Sequence, residues 1–213
     1  MSNVFSSDRW QTVERESARR LRGSFLLVGL LAALSVPLLA SPTSMERSAF
    51  AVPASVRAQF PWRVEVERFA ARLEDAFKIS EPVATQFAPW ILEASRRHTI
   101  RPELLASVIF TESSFRTDVV SSTGAVGPAQ VQPFWRGFCG ATSLEDPAEN
   151  IYCGAQILAY LRDICGNDRC ALEAYNVGLR NHRESTEEFA QAGRRYVSKV
   201  ERHLAGIGPY QSL

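Results

Sequence analysis

The chain of 213 residues has almost no lysine: Lys78 and Lys199 are the only two, and arginine supplies the rest of its 24 basic side chains. Against 23 acidic residues they leave a formal charge of +1. Without a basic excess there is no broad phosphate-binding surface, and nucleic acid is excluded as the expected partner. Cysteine is scarce at four, too few for a disulfide-built miniprotein. None of the four sits in the C-x-x-C pairs of a structural zinc site. The sequence lacks G-x-S-x-G, and His98, His182 and His203 stand singly near expected helix ends. Neither a hydrolase triad nor a metal centre is indicated, and no cofactor is expected. Internal repeats are missing too. What is left, 46% hydrophobic and 22% charged, is ordinary globular composition, enough for one domain and a short extra segment.

No apolar run reaches the roughly 20 residues that cross a bilayer comfortably. The longest apolar run, FLLVGLLAALSVPLLA at residues 25–40, has sixteen. Upstream lie Arg9, Arg15, Arg19, Arg20 and Arg22 against three acids, a net +2, and small residues follow at Ala40 and Ser41. Basic flank, apolar run and small residues make a secretory signal pattern, with Leu38 where a small residue is preferred. A cleaved signal peptide and an uncleaved signal anchor both fit residues 1–40. Either reading sends the remainder out of the cytoplasm, into the periplasm or onto the outer face of the inner membrane.

Residues 41–82 read as a linker followed by an amphipathic helix. Pro42, Pro53, Pro61 and several serines make 41–61 a tether. From Trp62, apolar residues recur at helical steps through Val66, Phe69, Ala70, Leu73 and Phe77, until Glu81-Pro82 breaks the pattern. Residues 83–205 read as a helical domain, with 206–213 as a C-terminal tail. One helix over 85–97 buries Phe87, Ile91 and Ala94. Another opens at Pro102-Glu103 and presents Leu104, Leu105, Val108 and Ile109. Asp146-Pro147-Ala148-Glu149 caps a third, which buries Ile151, Ala155, Leu158 and Leu161. Ser185 with Glu188 is a second capping-box candidate, ahead of Phe189, Tyr196, Val200 and Leu204. Only 119–133, rich in Ser, Gly and Val, suits a small β-hairpin. The expected class is mainly α (α+β).

Glu112 is the first residue with a chemical implication. It lies four positions beyond Val108 and eight beyond Leu104, so it leaves its helix on the apolar face. A carboxyl desolvated there holds its proton more tightly, as a general acid near neutral pH must. Glu112-Ser113-Ser114-Phe115 runs into the Ser/Gly-rich stretch 121–133, where Gln130 offers a donor and an acceptor. Ala174-Tyr175-Asn176-Val177-Gly178 adds a polar aromatic, an amide and a helix-ending glycine.

In this order the blocks resemble the peptidoglycan lytic transglycosylases of the goose-lysozyme-like (SLT) class. That family carries E-S-x-F, S-x-x-G-A-x-G-L-M-Q-x-x-P, N-I-x-x-G-x-x-Y-L, A-x-x-A-Y-N-x-G and Y-V-x-K-V. Matching residues are Glu112-Ser113 with Phe115, Gly124-Ala125 with Gly127, Gln130 and Pro133, and Asn150-Ile151 with Gly154 and Tyr160-Leu161. They continue with Ala174-Tyr175-Asn176 and Gly178, then Tyr196-Val197 and Lys199-Val200. The likeness covers about residues 83–205.

The resemblance implies a lysozyme-like helical fold whose cleft grips glycan strands of peptidoglycan. It implies one catalytic acid/base, Glu112, cleaving between N-acetylmuramic acid (MurNAc) and N-acetylglucosamine (GlcNAc) to leave 1,6-anhydro ends. Ser113, Gln130, Tyr175, Asn176 and Tyr196 match positions that line the cleft or orient sugar and acid. Alternatives are a hydrolytic muramidase, or a catalytically weak peptidoglycan-binding module of a secretion or phage apparatus. Pro128-Ala129 replaces the family's Leu-Met, which is expected to remove an apolar wall against a sugar ring; Val177 is a milder change. In an exported chain the cysteines read as disulfides. Cys139–Cys153 and Cys165–Cys170 are expected, one of three connectivities. Arg194, Arg195 and Arg202 read as a solvated helix face. Residues 25–40 could also serve as a membrane anchor, and assembly partners in a secretion or phage apparatus fit the same family.

Overall fold

The computed structural model describes residues 54–211, with side chains from Pro61 onward. The signal-like segment and the first part of the tether lie outside the described residues. The rest is helical, in the mainly α class expected: α1 (Ala54–Phe77), α2 (Glu81–His98), α3 (Pro102–Ser113), a 3-10 turn (Pro133–Trp135), α4 (Arg136–Cys139), α5 (Pro147–Cys165), α6 (Asp168–Val177), α7 (Leu179–Glu184) and α8 (Glu187–Ile207). Among the described residues no helix is long and apolar enough to cross a membrane.

Helix α1 begins at Ala54, eight residues before the apolar periodicity does, and includes Pro61. Its first turns extend a helix that the later stripe stabilises, which periodicity alone does not register. Phe69 and Leu73 are completely buried in the same core as Phe87 and Ile91 of α2 and Val200 of α8. The break at Glu81-Pro82 therefore separates two helices and not two cores. Glu65 of α1, itself buried, pairs with Arg96 of α2, whose guanidinium also lies 4.4 Å from the Trp62 ring centre. The tail closes on the same helix. Tyr210 meets Phe69 edge-on at 5.0 Å and donates to the Glu65 carbonyl at 3.2 Å. Arg72 donates to the carbonyls of Gly208 and Pro209 at 3.2 and 3.0 Å.

The other apolar stripes pack as their spacing predicts. Leu104, Leu105, Val108 and Ile109 of α3, and Ile151, Ala155, Leu158 and Leu161 of α5, are all buried. Helix α3 packs on α8, α5 on α2 and α6, and α6 on α8. Asp146 caps α5 by accepting from the Glu149 amide at 2.8 Å. The second cap falls one residue later than expected. Ser185 ends the short α7 in the left-handed region (φ 51°), and Thr186 accepts from the Phe189 amide at 3.4 Å. The hairpin region forms two isolated antiparallel bridges, Val120–Val126 and Val126–Val131, without lengthening into strands. Gly124, Gly127 and Gln130 all have positive φ (84°, 74° and 48°), and three left-handed residues within seven leave no extended run.

Because α1 shares the core, Phe69→Ala should lower the stability of the whole domain by about 3–5 kcal/mol. Urea unfolding followed by circular dichroism checks this. A domain starting at residue 83 would instead keep its midpoint.

Candidate active site

Helix α3 is buried from Glu103 to Ile109 and again at Ser113, and the half-buried Glu112 lies in its last turn. Directly after it the chain reverses through two left-handed residues, Ser114 (φ 54°) and Phe115 (φ 61°). Neither is glycine, so the turn carries strain that packing must hold. Phe115 supplies the packing. Its ring is 3% exposed and lies 5.1 Å from Phe87, 5.3 Å from Phe77 and 5.9 Å from Phe110. The E-S-x-F spacing thus has a mechanical content: the aromatic pins the turn that terminates α3 just past the carboxylate. Ser113 is buried and donates to the Ile109 carbonyl at 3.1 Å. It secures the helix end and does not line the groove described below.

Tyr196 of α8 donates to Glu112 Oε1 at 2.7 Å. Burial pushes the Glu112 carboxyl up to about 7, opposed by the Tyr196 hydrogen bond and the Lys199 charge, which both favour the ionised form. Tyr196 itself is raised well above the ordinary phenol value, first by burial and then by the charge of Glu112. Tyr175 of α6 is raised in the same way, by burial and by Glu112. Its hydroxyl donates to the Ala129 carbonyl at 2.8 Å, so its proton serves the loop rather than the acid. Glu112, Tyr175 and Tyr196 therefore form one cluster from three helices.

The loop between α3 and the 3-10 turn is organised by Asn150 of α5, a fully buried amide. It accepts from the Ala129 amide at 2.8 Å and donates to the carbonyls of Val126 and Leu144 at 2.8 and 2.9 Å. Gly127 must be glycine: besides its positive φ, a β-carbon there would lie 2.6 Å from Asn150 Cγ. Gly154, one turn beyond Asn150, leaves room for Ala129 and the Tyr175 hydroxyl, which a β-carbon would meet at 2.6 and 3.1 Å. The positioning role of Asn150 was not anticipated, although the N-I-x-x-G block placed both residues on one helix face. Gln130 spends its amide nitrogen inside the loop, donating to Val119 and Gly127 carbonyls at 3.1 and 2.9 Å. Its side-chain oxygen is left for the groove.

That groove holds about 520 Å3 and is lined in part by Gln130, Gln132, Trp135, Tyr175, Asn176 and Asn181. Glu112 does not line it; it stands beside Tyr175, which does. Gln130, Tyr175 and Asn176 are thus brought together on the wall, and Tyr196 behind them on the acid. Ala129, in the place of the family's methionine, is not part of the groove wall. It is completely buried against Gly154.

Both expected disulfides form, Cys139–Cys153 and Cys165–Cys170. Cys165, Cys170 and His182 place ligand-type atoms within 4.8 Å of one another, but the two sulfurs are bonded together and offer no thiolate to a cation. None of the three histidines lines the groove.

Residues 89–197, about half of the chain, match the family model described as Transglycosylase SLT domain. A transglycosylase of Enterobacteria phage PRD1 is 38% identical over 95 residues, covering 45% of this chain and 36% of that protein. Membrane-bound lytic murein transglycosylase C of Actinobacillus pleuropneumoniae serotype 5b is 35% identical over 91 residues, 38% of this chain and 25% of that protein. The chain thus spans about a third or less of the length of these two relatives. An inactive mutant of the lytic transglycosylase Slt from Pseudomonas aeruginosa aligns with TM-score 0.48 at 22% identity, over 55% of this chain and 23% of that one. By the extent of the family match, on the segment that holds Glu112, the groove and Tyr196, the chain belongs to the transglycosylase SLT domain family.

Proposed function

We propose that this protein is an exported lytic transglycosylase of peptidoglycan, with Glu112 as its single acid/base. The observation that carries the reading is a half-buried carboxyl at the end of α3 that accepts from the Tyr196 hydroxyl at 2.7 Å, with desolvation pushing its pKa up to about 7. At neutral pH a large share of Glu112 is protonated and able to act as an acid. The names of the phage and membrane-bound relatives agree with such an activity, and the signal-like residues 1–40 with export.

In the reaction, Glu112 gives its proton to the glycosidic oxygen between MurNAc and GlcNAc as the bond to C1 breaks. The leaving GlcNAc keeps the bonding electrons and the proton. The positive charge at C1 is shared with the oxygen of the substrate's own N-acetyl group. The Glu112 carboxylate then takes the proton of the MurNAc 6-hydroxyl, whose oxygen bonds to C1 and closes the 1,6-anhydro ring. Glu112 ends protonated, as it began. Tyr196 steadies the ionised stage. Tyr175, Asn176 and the Gln130 oxygen orient sugar along the groove, and Ser113 acts through the helix end that carries the acid.

Glu112→Gln should abolish release of soluble fragments from sacculi while sacculus binding persists. Mass analysis of wild-type products should find anhydro ends. Reducing ends would make the enzyme a hydrolytic muramidase, and retained activity in the variant would remove Glu112 from the role.

Two pH effects follow from the raised carboxyl. Activity should fall as pH rises through about 7, when the acid form is lost. Tyr196→Phe removes a bond that favours ionisation, so this alkaline limb should move to higher pH, read from kcat/KM profiles. For stability, the folded state keeps the Glu112 proton that an unfolded chain releases near 4.5. Folding is therefore weakened progressively from about pH 4.5 to 7, by about 3 kcal/mol above that range. Glu112→Gln should raise the urea midpoint at pH 8 and lose that advantage toward pH 4.

A further inference from the structure

Beside the groove the surface carries aromatic rings that the fold does not use. Phe134 is 76% exposed, Phe138 42% and Tyr160 36%. With Trp135 they form a connected set: Phe134–Trp135 at 5.4 Å, Trp135–Phe138 at 5.1 Å, Trp135–Tyr160 at 6.0 Å and Phe138–Tyr160 at 5.1 Å. Exposed aromatic clusters of this kind mark surfaces that something else covers. Phe134 and Trp135 also line the groove, so the cluster continues its wall. Phe138 and Tyr160 lie beyond it.

The platform is held in place from beneath. Phe138 precedes Cys139 on α4, and Tyr160 lies two turns after Cys153 on the same face of α5. The Cys139–Cys153 disulfide therefore ties together the two helices that present these rings. Gln156 of α5 adds a hydrogen bond to the Phe138 carbonyl at 3.3 Å. A cross-link fixes the relative position of two short-range elements whose exposed side chains gain nothing for the core. Rigid rings in register with a groove suit a rigid, extended ligand.

We infer that Phe134, Trp135, Phe138 and Tyr160 form a stacking platform on which a glycan strand runs on past the groove, so that the protein prefers long strands to short oligosaccharides. Pyranose rings present C–H-bearing faces that pack on aromatic rings, and the connection with the groove gives one strand access to both. The inference rests on the transglycosylase reading for the identity of the polymer. The two can nevertheless fail separately.

The test uses the purified full chain with Glu112→Gln, to prevent cleavage, and compares binding of long purified glycan strands with binding of a peptidoglycan tetrasaccharide. Phe138→Ala combined with Tyr160→Ala should weaken long-strand binding by about tenfold, near 1.4 kcal/mol, and change tetrasaccharide binding by less than about twofold. Phe138→Trp should retain the long-strand affinity. Unchanged long-strand binding, or an equal loss on both ligands, would overturn the platform and leave the transglycosylase reading standing. If the chain binds neither glycan, the transglycosylase reading fails first. Phosphatidylglycerol vesicles serve as the second arm. A loss of vesicle binding in the double variant without a loss on long strands would overturn the glycan platform in favour of a lipid surface.

Discussion

The hydrogen bond from Tyr196 to Glu112 joins the last turn of α3 to the middle of α8, and most of the architecture serves to keep those helices at that separation. Helix α8 is located by α6 as well as by α3 and α1. Gly193 lets it approach Glu173 of α6 so closely that a β-carbon would lie 3.1 Å from the Glu173 Cβ. Helix α3 is located by its buried stripe and by Phe115 in the aromatic cluster of Phe77, Phe87 and Phe110. Phe77 belongs to α1, so the amphipathic helix ahead of the family segment supports the turn next to the acid. A hydrogen bond tolerates only a few tenths of an ångström of error before it weakens. The core supplies that tolerance.

A second network builds the wall of the groove beside the acid. Asn150 holds the backbone of Val126, Ala129 and Leu144, and Tyr175 takes the outward carbonyl of Ala129. Every polar atom of the Asn150 amide is used, which is the condition for burying one without a large desolvation cost. The loop thereby becomes a fixed wall although it contains almost no regular structure. Gln130, in the left-handed region, turns its amide nitrogen back into the loop and leaves one acceptor toward the groove. Side chains that read as ligand-binding in a motif are here divided between holding the wall and facing outward.

Much of this was legible in the sequence because it depends on periodicity. The stripes of α2, α3 and α5 and the inward register of Glu112 follow from steps of three and four residues. The disulfides were expected from the signal-like segment and an even cysteine count, although spacing left three connectivities. Less was legible where the decisive contact is long-range or a single residue wide. In isolation Ser185, with Glu188 three residues on, is the better cap, and the end of α7 shifts the role to Thr186. The hairpin pattern of 119–133 was undone by three positive φ values that a tertiary network imposes. A motif records residue types and not directions, so the packing of Ala129 on Gly154 was not legible. Helix α1 read as a lead-in because its partners, Phe87 and Tyr210, are distant in the chain.

The acidity of Glu112 comes from a balance rather than from burial alone. Desolvation by itself would drive the carboxyl higher, to a state that donates a proton reluctantly and recovers it at once. Tyr196 and Lys199 act on the ionised form and bring the value back toward 7. Both lie on α8, three residues apart, so a single helix face supplies the opposing contributions. A group that must first give a proton and then take one works best when neither state is strongly preferred. The conjunction of a helix end on α3 with a tyrosine and a lysine on one face of α8 supplies the balance that the proposed acid/base role needs.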